Sequence, residues 1–294
     1  MPSDPSPIRV SPGLSLKLAW SEETVAAPGV FNPLVARLAE RLGFKAIYLS
    51  GAALSASLGL PDIGLVSVTE FVEEARKITA VCGLPLICDA DTGCGEALHV
   101  ERTVQLFETA GVAAIHLEDQ LLPKRCGHLS GKQLVEPQAM AAKIRAAVAA
   151  REDADFVIIA RTDARGVHGF DDAVQRARLY LEAGADCIFP EALENEAEFQ
   201  AFAEAVKAPL LANMTEFGKS PNLDRARLGE LGYRLVIYPV TAFRAALRAA
   251  EQTLLDIRDK GHQRDRIPAM LTRKELYELL DYTGYEDRDR HYFG

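Results

Sequence analysis

Gly111-Val112-Ala113-Ala114-Ile115-His116-Leu117-Glu118 is one of four segments that begin with glycine, run through a short apolar stretch and end on a polar residue or proline. The others are Gly43-Phe44-Lys45-Ala46-Ile47-Tyr48-Leu49-Ser50, Gly184-Ala185-Asp186-Cys187-Ile188-Phe189-Pro190-Glu191 and Gly232-Tyr233-Arg234-Leu235-Val236-Ile237-Tyr238-Pro239. In each, the glycine reads as the residue that closes a helix, and the apolar stretch as a strand. Four more apolar runs lie between them, at 25–30, 84–89, 156–161 and 209–213. The runs are continuous rather than alternating, as expected of strands covered on both faces. Residues 32–41, 69–81, 97–110, 137–150, 171–183, 194–206 and 241–258 place apolar side chains at three- and four-residue spacing, which predicts helices. Eight strand–helix units in this order predict an α/β fold, a closed (β/α)8 TIM-type barrel. No G-x-G-x-x-G follows the first strand, which argues against an open doubly wound sheet. The expected organisation is an N-terminal extension at 1–24, a catalytic barrel at 25–262 and a helical tail at 263–294, with a tail helix at 273–282.

The chain has 294 residues, 48% hydrophobic and 26% charged, enough to bury a full core. Its net charge of -9 makes it a poor partner for phosphate backbones or anionic lipid, so no nucleic-acid or membrane role is expected. Residues 1–13 are rich in Pro and Ser and lack the apolar segment of a secretory signal, and no apolar run is long enough to span a membrane. Five scattered cysteines, at 82, 88, 94, 126 and 187, form neither a disulfide framework nor a C-x-x-C pair. That usage predicts a reduced, cytoplasmic protein.

The strand-ending residues are the informative ones: Ser50, Asp89, Glu118, Arg161, Glu191 and Asn213, with Arg244 shortly after the eighth strand. In a barrel these positions converge on one face, where the chemistry is done. One charged residue there could be a helix cap or a rim ion pair, but a ring of them at the ends of apolar strands is costly unless it serves a pocket. Asp89 and Asp91, two apart, are expected on one side of a strand end, with N-capping as the ordinary alternative for Asp91. With Glu118, and Asp62 in an outer shell, they make an all-oxygen set suited to Mg2+, with Mn2+ as a substitute. Arg161 and Arg244 offer forks for carboxylates, Ser50-Gly51-Ala52-Ala53 offers backbone amides as an anion nest, and Asn213 and Thr215 add neutral donors. A small polycarboxylate is the substrate this set predicts.

Lys124-Arg125-Cys126-Gly127-His128 places one thiol between two fixed cations and an imidazole, in a loop long enough to act as a lid. Nearby positive charge is expected to lower the thiol from its free pKa of about 8.5. The ordinary alternative is a solvated basic turn with a spare cysteine. Cys82, Cys88, Cys94 and Cys187 read as packing residues, and His116 as a satisfied core histidine.

In chain order, Leu49-Ser50-Gly51, Gly59-Leu60-Pro61-Asp62, Asp89-Ala90-Asp91-Thr92-Gly93, Glu118-Asp119-Gln120, Lys124-Arg125-Cys126-Gly127-His128, Ala160-Arg161-Thr162-Asp163-Ala164, Phe189-Pro190-Glu191-Ala192 and Asn213-Met214-Thr215-Glu216 carry a resemblance. The chain resembles the isocitrate lyase/phosphoenolpyruvate mutase superfamily over about residues 28–285, and its length and Arg125 favour the methylisocitrate-cleaving branch. The resemblance implies Mg2+-dependent retro-aldol cleavage of 2-methylisocitrate to pyruvate and succinate, a step of propionate breakdown. It implies a cation at Asp89 with Asp62, Asp91 and Glu118, and Cys126 as the acid that protonates carbon. Charge is expected to be stabilised by Arg161, His128, Asn213 and Thr215, with Glu118 among the reacting groups. Either Tyr48 or a metal-bound water would remove the hydroxyl proton. Ser50, Gly51, Ala52, Lys124, Arg125, Gly127, Glu191 and Arg244 would contact substrate. The tail would swap onto a neighbouring subunit in a homotetramer, with Arg273 reaching an active site. Isocitrate cleavage, cleavage of other 2-hydroxy polycarboxylates, and phosphonate isomerisation or hydrolysis are the alternatives. The last has no need of Cys126.

Overall fold

The computed structural model describes residues 10–294; most of the segment read above as lacking a secretory signal lies outside them. The chain opens with α1 (Pro12–Glu22) and then builds the repeating units β1 (Val25–Pro28), α2 (Pro33–Arg41), β2 (Ile47–Leu49), α3 (Gly51–Ser57), α4 (Val68–Thr79), β3 (Leu86–Asp89), α5 (Ala97–Thr109), β4 (Ala114–Glu118) and α6 (Pro137–Ala150). It continues through β5 (Val157–Thr162), α7 (Phe170–Glu182), β6 (Cys187–Pro190), α8 (Glu196–Ala205), β7 (Leu211–Asn213), α9 (Arg225–Glu230), β8 (Leu235–Tyr238) and α10 (Thr241–Lys260), and ends in α11 (Arg273–Leu279) and α12 (Tyr282–Phe293).

All paired strands are parallel, β1 with β8, β7 with β8, and β2 through β6 in sequence order. Single parallel bridges close the two seams, Gly29 to Tyr48 and Ile188 to Leu210. There Val30 N–H donates to Tyr48 O at 2.8 Å and Ile188 N–H to Pro209 O at 3.0 Å. The expected barrel is therefore closed. Local chemistry explains the boundaries. Asn32 caps α2 by accepting from Val35 N–H, with Pro33 in the first turn, and Ser67 and Glu70 form a capping box at α4. Gly111 and Gly184 take φ of +79° and +104°, which a side chain would strain, so the helix-to-strand reversals fall on the glycines.

The register sets the pocket. Pairing places Asp89 beside His116, Glu118 beside Arg161, and Arg161 beside Phe189 at one end of the barrel. The interior below is filled by Val25, Ala27, Tyr48, Ile87, Val157, Ile159, Phe189, Leu211, Leu235 and Ile237. The outward strand faces pack against the helices in a second, larger cluster.

Four helices were not foreseen: α1, α3, α9 and α12. The N-terminal extension is not an appendage, because Leu16 and Trp20 of α1 join the interior cluster. Gly13 there is pressed on the barrel, where a Cβ would lie 2.1 Å from Asp155 O. The tail helix expected at 273–282 stops at Leu279, and Asp281, at φ 55°, turns the chain into α12. Helix swapping is not displayed by a single chain.

Leu16 is 0% exposed and Leu18, two residues on, 52% exposed. Leu16→Ala is expected to cost about 2–5 kcal/mol in urea unfolding, and Leu18→Ala less than about 0.5 kcal/mol. Equal effects would mean that α1 is not part of the core.

Candidate active site

The strand ends deliver Asp89, Glu118, Arg161, Glu191 and Asn213 to one mouth. Tyr48, Ser50, Ala52, Asp62, Asp89, Lys124, Arg125, Cys126, Gly127, His128, Arg161, Glu191, Asn213, Thr215 and Arg244 line a single cleft there, with Phe189, Ile237, Pro239 and Val240. Gly51, Asp91 and Glu118 stand directly behind it. Arg273, at the first turn of α11, is exposed and is not brought to this chain's cleft. A wider groove of about 690 Å³ at the opposite end, beside Lys207, Arg227 and Arg234, lies away from the strand C-termini.

Arg161 is the centre of the charge network. Its Nε lies 2.9 Å from Asp163 Oδ2 and 3.3 Å from Glu118 Oε2, and its Nη1 lies 3.3 Å from Glu191 Oε2. Burial would raise the Glu191 carboxyl, but Arg161, His128 and Lys132 outweigh it and hold Glu191 well below the usual carboxylate range. Glu118 goes the other way: burial, with Asp163 and Asp91 adding to it, pushes its carboxyl well up despite Arg161. Asn213 Nδ2 donates to Glu191 Oε2 at 3.2 Å.

Asp89 accepts from Gly51 N–H at 3.1 Å and from Asp91 N–H at 2.9 Å. A Cβ at residue 51 would fall 2.7 Å from Asp89 Oδ2, so glycine is what lets the amide approach. This narrows the anion-nest expectation. Ser50 caps α3 by accepting from Ala53 N–H, and the Gly51 amide serves Asp89, so those two amides are engaged within the protein while Ser50 and Ala52 line the cleft. Asp91 is corrected. It lies beyond the end of β3 with φ 46°, so strand alternation is not what sets its side, nor does it cap a helix. Burial and Asp89 raise its carboxyl to about 6, with Lys124 opposing.

Lys124 binds Asp62 and lies 2.7 Å from Asp91 Oδ1. It is thus interposed in the acidic set, and among the described residues no three ligating side chains form a ready cage. The set nonetheless fits a hard cation. Asp91 Oδ1 and Glu118 Oε1 are buried without an aligned hydrogen-bond donor, the Lys124 ammonium being close to the former but out of line. A cation that keeps several waters needs only one or two of these carboxylates directly.

The thiol differs from expectation. Lys124 is spent on the acids, and Arg125 turns toward Ser130 O at 3.4 Å. Burial therefore wins and pushes the Cys126 thiol up rather than down, although Arg161 opposes it. His128 Nδ1 accepts from Lys219 N–H at 3.0 Å, which assigns the ring proton to Nε2, 3.1 Å from Glu191 Oε1 but off a straight hydrogen-bond line. Arg244 lies on the rim, 3.0 Å from Glu216 Oε2.

Tyr48 hydroxyl and His116 Nε2 are 2.7 Å apart, and His116 Nε2 lies 3.6 Å from Asp89 Oδ1. Burial, then Asp89, raises the tyrosine well above its ordinary value, so Tyr48 faces the cleft as a phenol. His116, held down to about 4 by burial, is a core histidine that also links Tyr48 to Asp89. Mid-strand position alone gave no signal of that link. Cys82, Cys88 and Cys187 are buried as packing residues, whereas Cys94 is exposed, on a turn with φ 60°. Gln120 and Asp163 stand in the quoted motifs without an assigned role, and Lys132 is marked by none; their partners are brought together only by the fold.

The family model described as phosphoenolpyruvate phosphomutase matches residues 16–258. The chain is 57% identical over 279 residues to the 2-methylisocitrate lyase of Aeropyrum pernix, covering 95% of this chain and 90% of that one. It superposes on oxaloacetate acetylhydrolase in complex with 3,3-difluorooxalacetate with TM-score 0.91 and 36% identity, covering 97% and 98% of the two chains. Phosphonopyruvate hydrolase in complex with oxalate and Mg2+ matches with TM-score 0.88 and 35% identity over 97% and 100%. Nearly full-length identity above one half, together with a family model spanning the barrel, places the relationship: the chain belongs to the 2-methylisocitrate lyases of the phosphoenolpyruvate mutase/isocitrate lyase superfamily.

Proposed function

We propose that this chain cleaves 2-methylisocitrate to pyruvate and succinate, with Cys126 as the general acid. The observation that carries this role is the place of the Cys126 thiol, on a loop lining a cleft of carboxylates, arginine and amide donors, where burial raises its pKa. In the retro-aldol step the C2 hydroxyl gives its proton to a water in the cleft acting as base, and its oxygen becomes that of the pyruvate ketone. The C2–C3 electron pair moves to C3, where the neighbouring carboxylate spreads it as an enediolate. Arg161, Asn213 and Thr215 line the cleft where that charge develops, and preorganised donors there stabilise it. Cys126 then delivers its proton to C3, giving succinate and a thiolate that takes back the proton held by the cleft water. Glu191 and Glu118 keep Arg161 in place. Tyr48 serves as a protonated hydrogen-bond donor on the cleft wall.

Asp89 is the residue best placed to hold a divalent cation, with Asp62, Asp91 and Glu118 around it, and Mg2+ is the proposed ion. When bound, such a cation supplies Lewis-acid polarisation of substrate oxygens. Among the described residues no helix is long and apolar enough to cross a membrane, and a cytoplasmic setting is the reading adopted. The catalytic unit is taken as residues 25–262, with a helical tail at 263–294. In α10 only Asp256 is buried, and Leu247, Leu254 and Leu255 are exposed. An apolar face of this kind supports a homotetramer in which a neighbour's tail covers it and brings its Arg273 toward the cleft.

Cys126→Ser is expected to lower kcat by orders of magnitude with little change in KM; near-normal turnover would remove the thiol from the acid role. The pH sign follows from the raised thiol. The acid form is active, so kcat is expected to fall only as pH rises past the ordinary thiol value of about 8.5, and an alkaline limb well below that value would contradict the assignment. Asp89→Ala should weaken the Mg2+ dependence and activity together in a metal titration, whereas an unchanged titration would place the ion elsewhere.

A further inference from the structure

Cys126 is flanked on both sides by buried side chains that do not line the cleft. Gln120, 1% exposed, turns its amide onto the peptide of residue 125. Its Nε2 donates to Arg125 O at 2.8 Å and its Oε1 accepts from Arg125 N–H at 2.9 Å. One side chain thus satisfies both main-chain groups of the residue before the thiol, as an opposing strand would. On the other side Lys132, 7% exposed, donates to the Gly127 carbonyl and, at 2.7 Å, to Asp163 Oδ1.

Asp163 is itself fixed. Its N–H donates to Asp119 Oδ1 at 2.9 Å, and its carboxylate holds Arg161. The foot of the loop is closed by Leu121 N–H to Gln133 O at 2.7 Å and Val135 N–H to Asp119 O at 2.9 Å. A surface loop needs none of this, because water satisfies its backbone. Burying a lysine and a glutamine there costs desolvation and rotamer entropy, which is offset only if the bonds they make matter.

We infer that Gln120 and Lys132 are positioning residues that brace the peptides before and after Cys126 and so aim the thiol into the cleft. Lys132 joins the loop to the barrel through Asp163, and Gln120 keeps the loop's own shape. Neither touches the reacting atoms. The inference rests on the reading of Cys126 as the acid.

The test uses the full chain with Gln120→Met, Lys132→Met and Lys132→Arg. It reads kcat, KM, the urea midpoint, and iodoacetamide labelling of Cys126 relative to the exposed Cys94 by peptide mass. Loss of the brace is expected to lower kcat by about 10- to 100-fold while KM stays within about threefold. Labelling of Cys126 should rise against Cys94 with the urea midpoint held, and Lys132→Arg should recover part of the lost kcat. If either methionine variant does not fold, Gln120→Glu, which keeps the acceptor and loses the donor, is read for the same split. Wild-type kcat in the folded variants overturns the brace, as does a fall in kcat matched by a fall in the urea midpoint with no selective change at Cys126. If wild-type protein lacks turnover, or Cys126→Ser retains it, the reading of the acid fails instead.

Discussion

Everything at the mouth of this barrel depends on how the buried guanidinium of Arg161 is compensated. It sits at the end of β5 among Glu118, Asp163 and Glu191, each within 3.3 Å. An unpaired charge in such a place would cost several kcal/mol, and removing one partner of a buried pair typically costs about 3–5 kcal/mol. The neighbours are therefore not interchangeable. Gly127 shows how tightly they close: a Cβ there would lie 2.4 Å from Arg161 Nη2 and from Glu191 Cγ. The residue after the thiol must be glycine for the loop to dock.

The balance of charge also supports the proposed place of the cation. Asp62, Asp89, Asp91, Glu118, Asp163 and Glu191 face Lys124, Lys132 and Arg161, and burial pushes Asp91 and Glu118 toward protonation. The acidic excess lies on the Asp89 side, whereas on the other side Arg161 and Lys132 balance Asp163 and Glu191. A hydroxy-polycarboxylate spanning the cleft would set its hydroxyl end toward the first and its developing negative charge toward the second. Between them the loop presents a thiol whose pKa burial raises, which favours the acid form that the proposed step needs.

Much of the fold was legible because it is written in local signals. Gly111 and Gly184 at the reversals, Pro137 at the start of α6 and Asn32 at the start of α2 act within a few residues of themselves. Three of the missed helices carry caps too, Ser11 for α1, Ser50 for α3 and Asp224 for α9, but lack a long apolar stripe at helical spacing. α3 is seven residues of mostly small side chains, α9 is six residues long, and α1 was hidden by a Pro/Ser-rich start although Leu16 is deep in the core. The site was legible as a set, since barrel topology alone sends strand ends to one face. Its wiring was not. Asp91 leaves the strand at φ 46°, Lys124 turns to the acids instead of the thiol, and Arg125 points to Ser130 O. Each depends on partners distant in sequence or on a turn that spacing does not encode.

The most direct test of the account is a side-by-side measurement of kcat/KM for 2-methylisocitrate and isocitrate on the purified protein with Mg2+. A pocket that accommodates the methyl group is worth about 1–3 kcal/mol, so kcat/KM for the methylated substrate should be higher by roughly 10- to 200-fold. Equal values, or a preference for isocitrate, would contradict the assignment of 2-methylisocitrate as the substrate.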